Sequence, residues 1–426
     1  MIRIFEKNSP DFQRRLDALC NRSSELGEEI EAAARRTIAE VRAGGDAALR
    51  ALTAAFDKRQ LDALELPAAE WDALAARTTP EVRAALEHAA RRVRTFHERE
   101  RHASFEISED GVRVGSRVDP LGRIGIYVPG GKARYPSTVI MTAVPARVAG
   151  VREIVMTTPG PSPETLAAAR LAGVDRVFLI GGAQAIAAMA YGTESVPRVD
   201  KIVGPGNAYV AAAKRLVFGD VGIDSIAGPT EVVIAAEAGV DPRWIAADLL
   251  AQAEHDELAV PVLIARGRAF ADEVAAAVAA QLAELPRRAI AEKSLADQGA
   301  IFVVEGPDAD DEIVRLMNLL APEHAELALR DARALAPRIT AAGALFLGMH
   351  TPEPVGDYLA GPSHVLPTGG SARFASPLGV SDFIKRTSII EYDAGALAAQ
   401  TDDIDRLTAV EDLHGHGRAV TIRTRG

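Results

Sequence analysis

Apolar residues recur at helical spacing through the first hundred positions. Phe12, Leu16 and Leu19 fall on one face of a helix from Asp11 to Cys20. A second helix, Leu26 to Arg42, stops at Gly44-Gly45, and a third runs from Ala48 to Phe56. The stretch Pro80 to Arg101 carries Val82, Leu86, Ala89, Val93 and Phe96 along one stripe. Its histidines, His88, His97 and His102, have no partner at ligand spacing and read as surface or packing residues. The period then shortens to two, because Phe105 to Val118 alternates about Asp110-Gly111, a hairpin turn signal.

From Gly122 the pattern becomes short apolar runs ending in glycine turns, each followed by a helical stretch. Strands are predicted at Gly122–Val128, Glu153–Thr157, Arg176–Ile180 and Lys201–Val203. Helices are predicted at Pro163–Ala172, Gly181–Tyr191 and Ala208–Phe218. Such alternation predicts a parallel sheet covered by helices. After Gly228-Pro229-Thr230-Glu231 a second series begins. It has strands at Val232–Ala235, Val260–Ala265, Ala300–Val304 and Gly343–Gly348, with helices at Trp244–His255, Ala271–Leu285 and Asp310–Leu320. The N-terminal helices are expected to pack with this second series, so that one domain interrupts another. From Val380 the tail reads as a strand at Ser388–Tyr392, a helix near Leu407–Leu413 and a terminal strand at Ala419–Arg423. So short a segment cannot build a core, and it must dock elsewhere.

Length and composition narrow the class. A chain of 426 residues suggests two or more domains. Its 48% hydrophobic and 25% charged residues are those of a soluble globular protein. A net charge of −11 argues against nucleic acid, whose phosphates require clustered cations. With one cysteine, Cys20, neither an internal disulfide nor a cysteine-based zinc site can form. The start, Met1-Ile2-Arg3-Ile4-Phe5-Glu6-Lys7, lacks a signal-peptide pattern, and no apolar run is long enough for a membrane span. A cytoplasmic location is expected.

Candidate chemistry gathers around Asp248-Leu249-Leu250-Ala251-Gln252-Ala253-Glu254-His255-Asp256. Gln252 and His255 are three apart, which places both on one helix face. An amide oxygen and an imidazole make half of a zinc site, or simply a polar helix face. Glu323-His324, Gly356-Asp357-Tyr358 and Glu411-Asp412-Leu413-His414-Gly415-His416 could complete the site. Adjacent residues such as Glu323 and His324 reach one ligand only from a loop or an element end. There, Glu can act as a general base and His as a proton acceptor. His364 lies in the long turn Gly361–Gly370, close in sequence to Asp357. Three glycine turns, at Val128–Gly131, Gly181-Gly182 and Gly204–Asn207, could approach phosphate groups, though none carries the full dinucleotide fingerprint.

Read together, these phrases resemble the histidinol dehydrogenases over essentially the full length of the chain. The match is carried by Gly125-Ile-Tyr127-Val-Pro-Gly-Gly131, Gly181-Gly-Ala-Gln184-Ala-Ile186, Gly204-Pro-Gly-Asn207-Ala-Tyr209, Ala227-Gly-Pro-Thr230-Glu231 and Asp248–His255. It continues through Ala321-Pro-Glu323-His324, Gly356-Asp357-Tyr358, His364-Val-Leu-Pro-Thr-Gly-Gly370 and Phe383-Ile-Lys-Arg-Thr-Ser388. The resemblance implies a zinc-dependent homodimer that oxidises L-histidinol through L-histidinal to L-histidine with two NAD, the last step of histidine biosynthesis. It implies an α/β fold of two Rossmann-like parallel-sheet domains, one inserted in the other. The expected division is an N-terminal helical arm (1–22), a main domain (23–127 and 230–379), an inserted NAD-binding domain (128–229) and a tail (380–426) docking on the partner subunit.

By the same resemblance the zinc ligands are Gln252, His255, Asp357 and His416, and NAD contacts fall on Tyr127, Gln184 and Asn207. Substrate contacts fall on Thr230, His324, His364 and Glu411, besides the metal ligands. His416 and Glu411 act across the dimer. His324 is expected to be the base for alcohol oxidation and Glu323 to activate the water that adds to the aldehyde. The metal holds the substrate's imidazole and amino group, with Glu411 pairing the ammonium. The chain departs from the family at Thr230, where Ser is usual, and at Asp412, where Gly is usual. His414 adds an imidazole near His416, although on a helix the two would diverge by about 200°. A related zinc and NAD dehydrogenase of another small polar alcohol is the nearest alternative. A zinc hydrolase using Glu323 would leave the Tyr127, Gln184 and Asn207 loops without a purpose. A non-catalytic binding protein would have no use for an acid/base pair beside a metal.

Overall fold

Two runs of short apolar strands separated by helices form two parallel sheets in the computed structural model, which describes residues 2–7, 9–22, 27–130 and 134–425. In chain order the strands are β1 (Ile4–Glu6), β2 (Phe105–Glu109), β3 (Val112–Pro120), β4 (Arg123–Tyr127), β5 (Glu153–Thr157), β6 (Arg176–Phe178) and β7 (Lys201–Val203). They continue as β8 (Gly222–Ile223), β9 (Glu231–Glu237), β10 (Val260–Arg266), β11 (Ala300–Val304), β12 (His324–Ala328), β13 (Ala344–Leu347) and β14 (Ile384–Tyr392). One sheet has the order β6-β5-β4-β7-β8 and the other β1-β11-β10-β9-β12-β13, every pairing parallel. In each series the first strand is central and the order reverses there, the doubly wound Rossmann topology. Because β1 joins β11 at one edge, the six-stranded sheet takes strands from before and after the five-stranded one, which is inserted between them in the sequence.

Helices cover both faces of each sheet, so most strand residues are apolar and buried. Pro10–Cys20 and Ala309–Leu320 cover one face of the six-stranded sheet, burying Phe12, Leu16, Ile313 and Leu316. Pro242–Ala253, Arg268–Leu282 and Arg288–Asp297 cover the other. The last of these helices was not predicted.

The expectation that the N-terminal helices join the second series holds only for the first of them. Glu28–Asp57 packs Ile38, Val41 and Leu49 in one core with Ile186 and Val210, residues of the helices Gly182–Tyr191 and Ala208–Val217 that cover the five-stranded sheet. Ala68–Ala75 and Pro80–His97 close its other face through Trp71, Leu86 and Val93. An apolar stripe says that a helix face is buried, not which sheet buries it. The two helices expected on either side of Gly44-Gly45 run on as one, kinked at Gly45 (φ 50). β4 precedes the expected start of the inserted segment at 128 and is the central strand of its sheet.

The hairpin forms as predicted: Asp110 (φ 48) and Gly111 (φ 80) take the two left-handed conformations that a tight turn between twisted strands requires. β14 pairs antiparallel with β3 along its whole length, which is where the tail docks. The expected terminal strand is a helix. Helix Ala394–Val410 is followed by His414–Thr424, and the β-branched run Val420-Thr421-Ile422 meets a helix rather than a free strand edge. Among the described residues no helix is long and apolar enough to cross a membrane.

Candidate active site

His324 is the first residue of β12 and Glu323 immediately precedes it, an element end of the kind their adjacency requires. β12 pairs with β9 so that His324 stands opposite Val232, which brings the residues just before each strand together. The Glu323 carboxylate accepts hydrogen bonds from Thr230 Oγ1 (2.6 Å) and from the Glu231 backbone N–H (2.9 Å). Burial nevertheless pushes its pKa up to about 8, helped by the nearby Glu231 and Asp357 carboxylates. The His324 ring is buried, with Nδ1 2.9 Å from the Glu231 carbonyl oxygen. A carbonyl can only accept, so Nδ1 carries the hydrogen and Nε2 is the nitrogen left to take up a proton. Nε2 lies 3.4 Å from Glu353 Oε1.

Glu353 was not singled out in the sequence, yet it is buried at the N-terminus of the short helix Pro354–Tyr358, one turn before Asp357. That spacing was the available signal, since residues four apart share a helix face. His324, Glu353 and Asp357 each present an atom within 4.8 Å of the others. Burial raises the Glu353 pKa. Asp357 behaves differently: burial pushes it up, but a hydrogen bond from His364 and the imidazoles of His364, His324 and His255 outweigh that, and its pKa falls. His364 Nδ1 donates to the Asp357 carbonyl oxygen (3.1 Å) and lies 3.6 Å from its carboxylate. Thus both readings of His364, ligand-site residue and backbone-satisfied histidine, describe the same ring.

Helix Pro242–Ala253, capped by Asp241, carries Gln252 in its last turn. Gln252 is 1% exposed and its Nε2 has no hydrogen-bond partner. His255 lies just beyond the helix, on a further turn closed by its N–H to the Gln252 carbonyl (3.3 Å). One edge of His255 is open to solvent, but the protein around the ring desolvates it, and its pKa falls despite the pull of Asp357. A cavity of about 150 Å³ opens between His324, Phe346, Val355, Asp357 and His364. That is smaller than the roughly 300–1,000 Å³ of sites for drug-sized ligands and suits a small molecule. Behind it sits a further buried acid, Glu326, whose pKa burial raises, as it does that of the neighbouring Asp248. Glu326 is two residues from His324, on the same strand face.

Tyr127, Gln184 and Asn207 gather at the carboxyl edge of the five-stranded sheet, where β4 and β7 flank the reversal of strand order. Tyr127 is the last residue of β4, and its hydroxyl accepts from the Gly182 N–H (3.1 Å). Gln184 is buried in the following helix, and Asn207 caps the helix Ala208–Val217. Gly204 (φ 109) passes so close to Tyr127 that a Cβ would overlap its carbonyl oxygen. Sequence reading missed the group that braces this turn. The buried Lys214 bonds the Gly204 carbonyl (3.0 Å) and pairs with Asp224, which in turn accepts from the Gly204 N–H (2.7 Å). Of the first glycine turn, Gly131 lies outside the described residues.

Glu411 and His416 are not in the cluster. Both are exposed on the tail, one on either side of Asp412. Asp412 has φ 58, a conformation that glycine adopts freely and aspartate tolerates. His414 Nε2 lies 3.0 Å from the Asp412 carboxylate, so the two departures in the tail motif contact each other.

The histidinol dehydrogenase family profile matches residues 20–424. A histidinol dehydrogenase from Geobacter sulfurreducens is 50% identical over 432 residues, covering 100% of both chains. One from Aquifex aeolicus is 48% identical over 426 residues, covering 99% of each. The crystal structure of histidinol dehydrogenase from Elizabethkingia anophelis matches with a TM-score of 0.93 at 32% identity, covering 100% of this chain and 98% of that one. By sequence along its whole length and by fold, the chain belongs to the histidinol dehydrogenase family.

Proposed function

We propose that this chain is a cytoplasmic, homodimeric enzyme that oxidises L-histidinol to L-histidine by way of L-histidinal, using two NAD and one zinc ion per subunit. The observation that carries the reading is a buried acid/base pair, Glu323 and His324, standing beside a small cavity shared with Asp357 and His364. Zinc would be held by Gln252, His255 and Asp357, with His416 of a second subunit. The donor set fits. Asp357 is held ionised and His255 neutral, the states that a divalent cation requires. Turning the unpartnered Gln252 amide about its last bond presents its oxygen instead of its nitrogen. Zinc, when bound, supplies a fixed positive charge that holds the nitrogen donors of the substrate.

Within that frame His324 takes the carbinol proton at Nε2 in the first oxidation, its ring oriented by the Glu231 carbonyl. Glu323 acts in the second, removing a proton from the water that adds to the aldehyde. Thr230, in place of serine, spends its hydroxyl on Glu323, so the departure preserves the contact to the base. His364 orients the Asp357 carboxylate. Glu411 of the second subunit accepts a hydrogen bond from the substrate's amino group. NAD, the two-electron acceptor, lies along Tyr127, Gln184 and Asn207 in the segment 128–229 and its leading strand, where glycine turns end the strands. Of the tail (380–426), β14 stays paired with β3 of its own chain, and a reach of the helices beyond it to the second subunit is supported by exposed apolar residues: Leu407 and Val410 are 65% and 87% exposed.

The test is NADH formation from L-histidinol, counted per substrate, with and without a chelator. The reading expects two NADH per histidinol, loss of turnover on chelation and recovery with Zn²⁺. One NADH per substrate, or none, would overturn it, as would turnover indifferent to the chelator.

A further inference from the structure

Glu231 stands at the joint of the site without facing the cavity. Its N–H donates to the Glu323 carboxylate (2.9 Å) and its carbonyl accepts from His324 Nδ1 (2.9 Å), so one peptide segment orients both reacting side chains. Its own side chain is almost wholly buried. One carboxylate oxygen accepts from Arg22 Nε (2.7 Å) and the Gly369 N–H (2.9 Å). The other accepts from Arg22 Nη2 (2.6 Å) and the Glu323 N–H (3.4 Å). Arg22 is itself anchored on the Leu19 carbonyl and, at 2.7 Å, on the Leu320 carbonyl. A single ion pair thus ties the end of the first helix, the end of helix Ala309–Leu320, the turn that carries His364 and the starts of β9 and β12.

We propose that the Arg22–Glu231 ion pair is a positioning element of this active site, holding the first residue of β9 so that its main chain aims Glu323 and His324 at the substrate. The inference rests on the reading of those two residues as the reacting pair. The two-pronged geometry matters, because a guanidinium fork fixes a carboxylate in direction as well as distance. Charge matters too. The Arg22 cation offsets the Glu231 carboxylate, which otherwise stands as an unopposed like charge beside Glu323. The other charged or titratable groups near Glu323 are His324, Glu353 and Asp357.

Arg22→Gln, Arg22→Lys and Glu231→Gln separate this role from a merely structural one. Each is compared with wild type for turnover of histidinol and of histidinal, for the pH profile of the histidinal step, and for folding by circular dichroism and thermal unfolding. Arg22→Gln is expected to lower kcat roughly 10–100-fold in both oxidations, the scale of a misaimed catalytic group, while changing the KM for NAD by less than about twofold. Its acid limb should move to higher pH, since Glu231 is left uncompensated. Glu231→Gln should move the limb to lower pH, since the negative neighbour is gone. Arg22→Lys, which keeps charge but loses the fork, should restore the limb position more than the rate. Opposite shifts of the limb cannot come from partial unfolding. Folded Arg22→Gln with kcat within about twofold of wild type would overturn the proposal, as would limbs that do not move. If wild type forms no NADH from histidinol, the functional reading falls and this inference with it. Full wild-type turnover with indifferent variants sinks the inference alone.

Discussion

Glu323 shows how one environment can set both the strength and the timing of a base. Burial holds its proton up to about pH 8, although two donors favour the ionised form. A raised pKa means the protonated form dominates at neutral pH, and a base works only when ionised. The histidinal step of the free enzyme should therefore quicken as pH rises through about 8. Glu323→Gln should erase that limb and slow the step roughly 10²–10⁴-fold, with a smaller loss in histidinol oxidation. Stopped-flow NADH traces started from each substrate check this, and equal losses would contradict the division of labour. His324 differs in being defined by direction: its carbonyl partner decides which nitrogen is free.

At the scale of elements, the tail turn holds Asp412 and His414, two of the three expected departures from the family pattern. Asp412 occupies a left-handed conformation between helices Ala394–Val410 and His414–Thr424, and His414 reaches back to its carboxylate. Both side chains are largely exposed, so their attraction is screened by water and contributes little. The backbone conformation weighs more, because a Cβ in the left-handed region costs energy that glycine avoids. Asp412→Gly should therefore stabilise the protein by up to about 1 kcal/mol in denaturant unfolding. A loss of stability would mean that the Asp412–His414 contact outweighs the strain. The same scale explains the misread terminus. Residues 419–423 have strand-like composition, but they pack along helix Ala394–Val410, and that tertiary contact selects a helix.

For the whole molecule, the question is where the missing part of the site comes from. His255, Asp357, His324 and His364 converge within one chain, whereas His416 and Glu411 stand exposed on the tail. If the tail is exchanged, a His255→Ala subunit and a His416→Ala subunit should each be inactive alone yet complement each other. Random reassortment of the two would give one intact site in every mixed dimer, about a quarter of wild-type activity. No recovery after mixing, with mixed dimers demonstrated, would place the whole site in one chain.

Much of this was legible without coordinates. Periods of two and of three to four residues located most strands and helices, and Asp110-Gly111 announced its hairpin, because those signals are set by neighbours a few positions apart. The motif residues named the chemistry: Gln252, His255, Glu323, His324, Asp357 and the glycine turns. Only the tertiary structure decided that the helices from Glu28 to His97 cover the five-stranded sheet, since an amphipathic stripe carries no address. It alone brought Glu353 against His324, Lys214 under Gly204, and Arg22 onto Glu231. The first and last of these join residues far apart in the chain, and the geometry of all three depends on strand register and helix packing rather than on any local period.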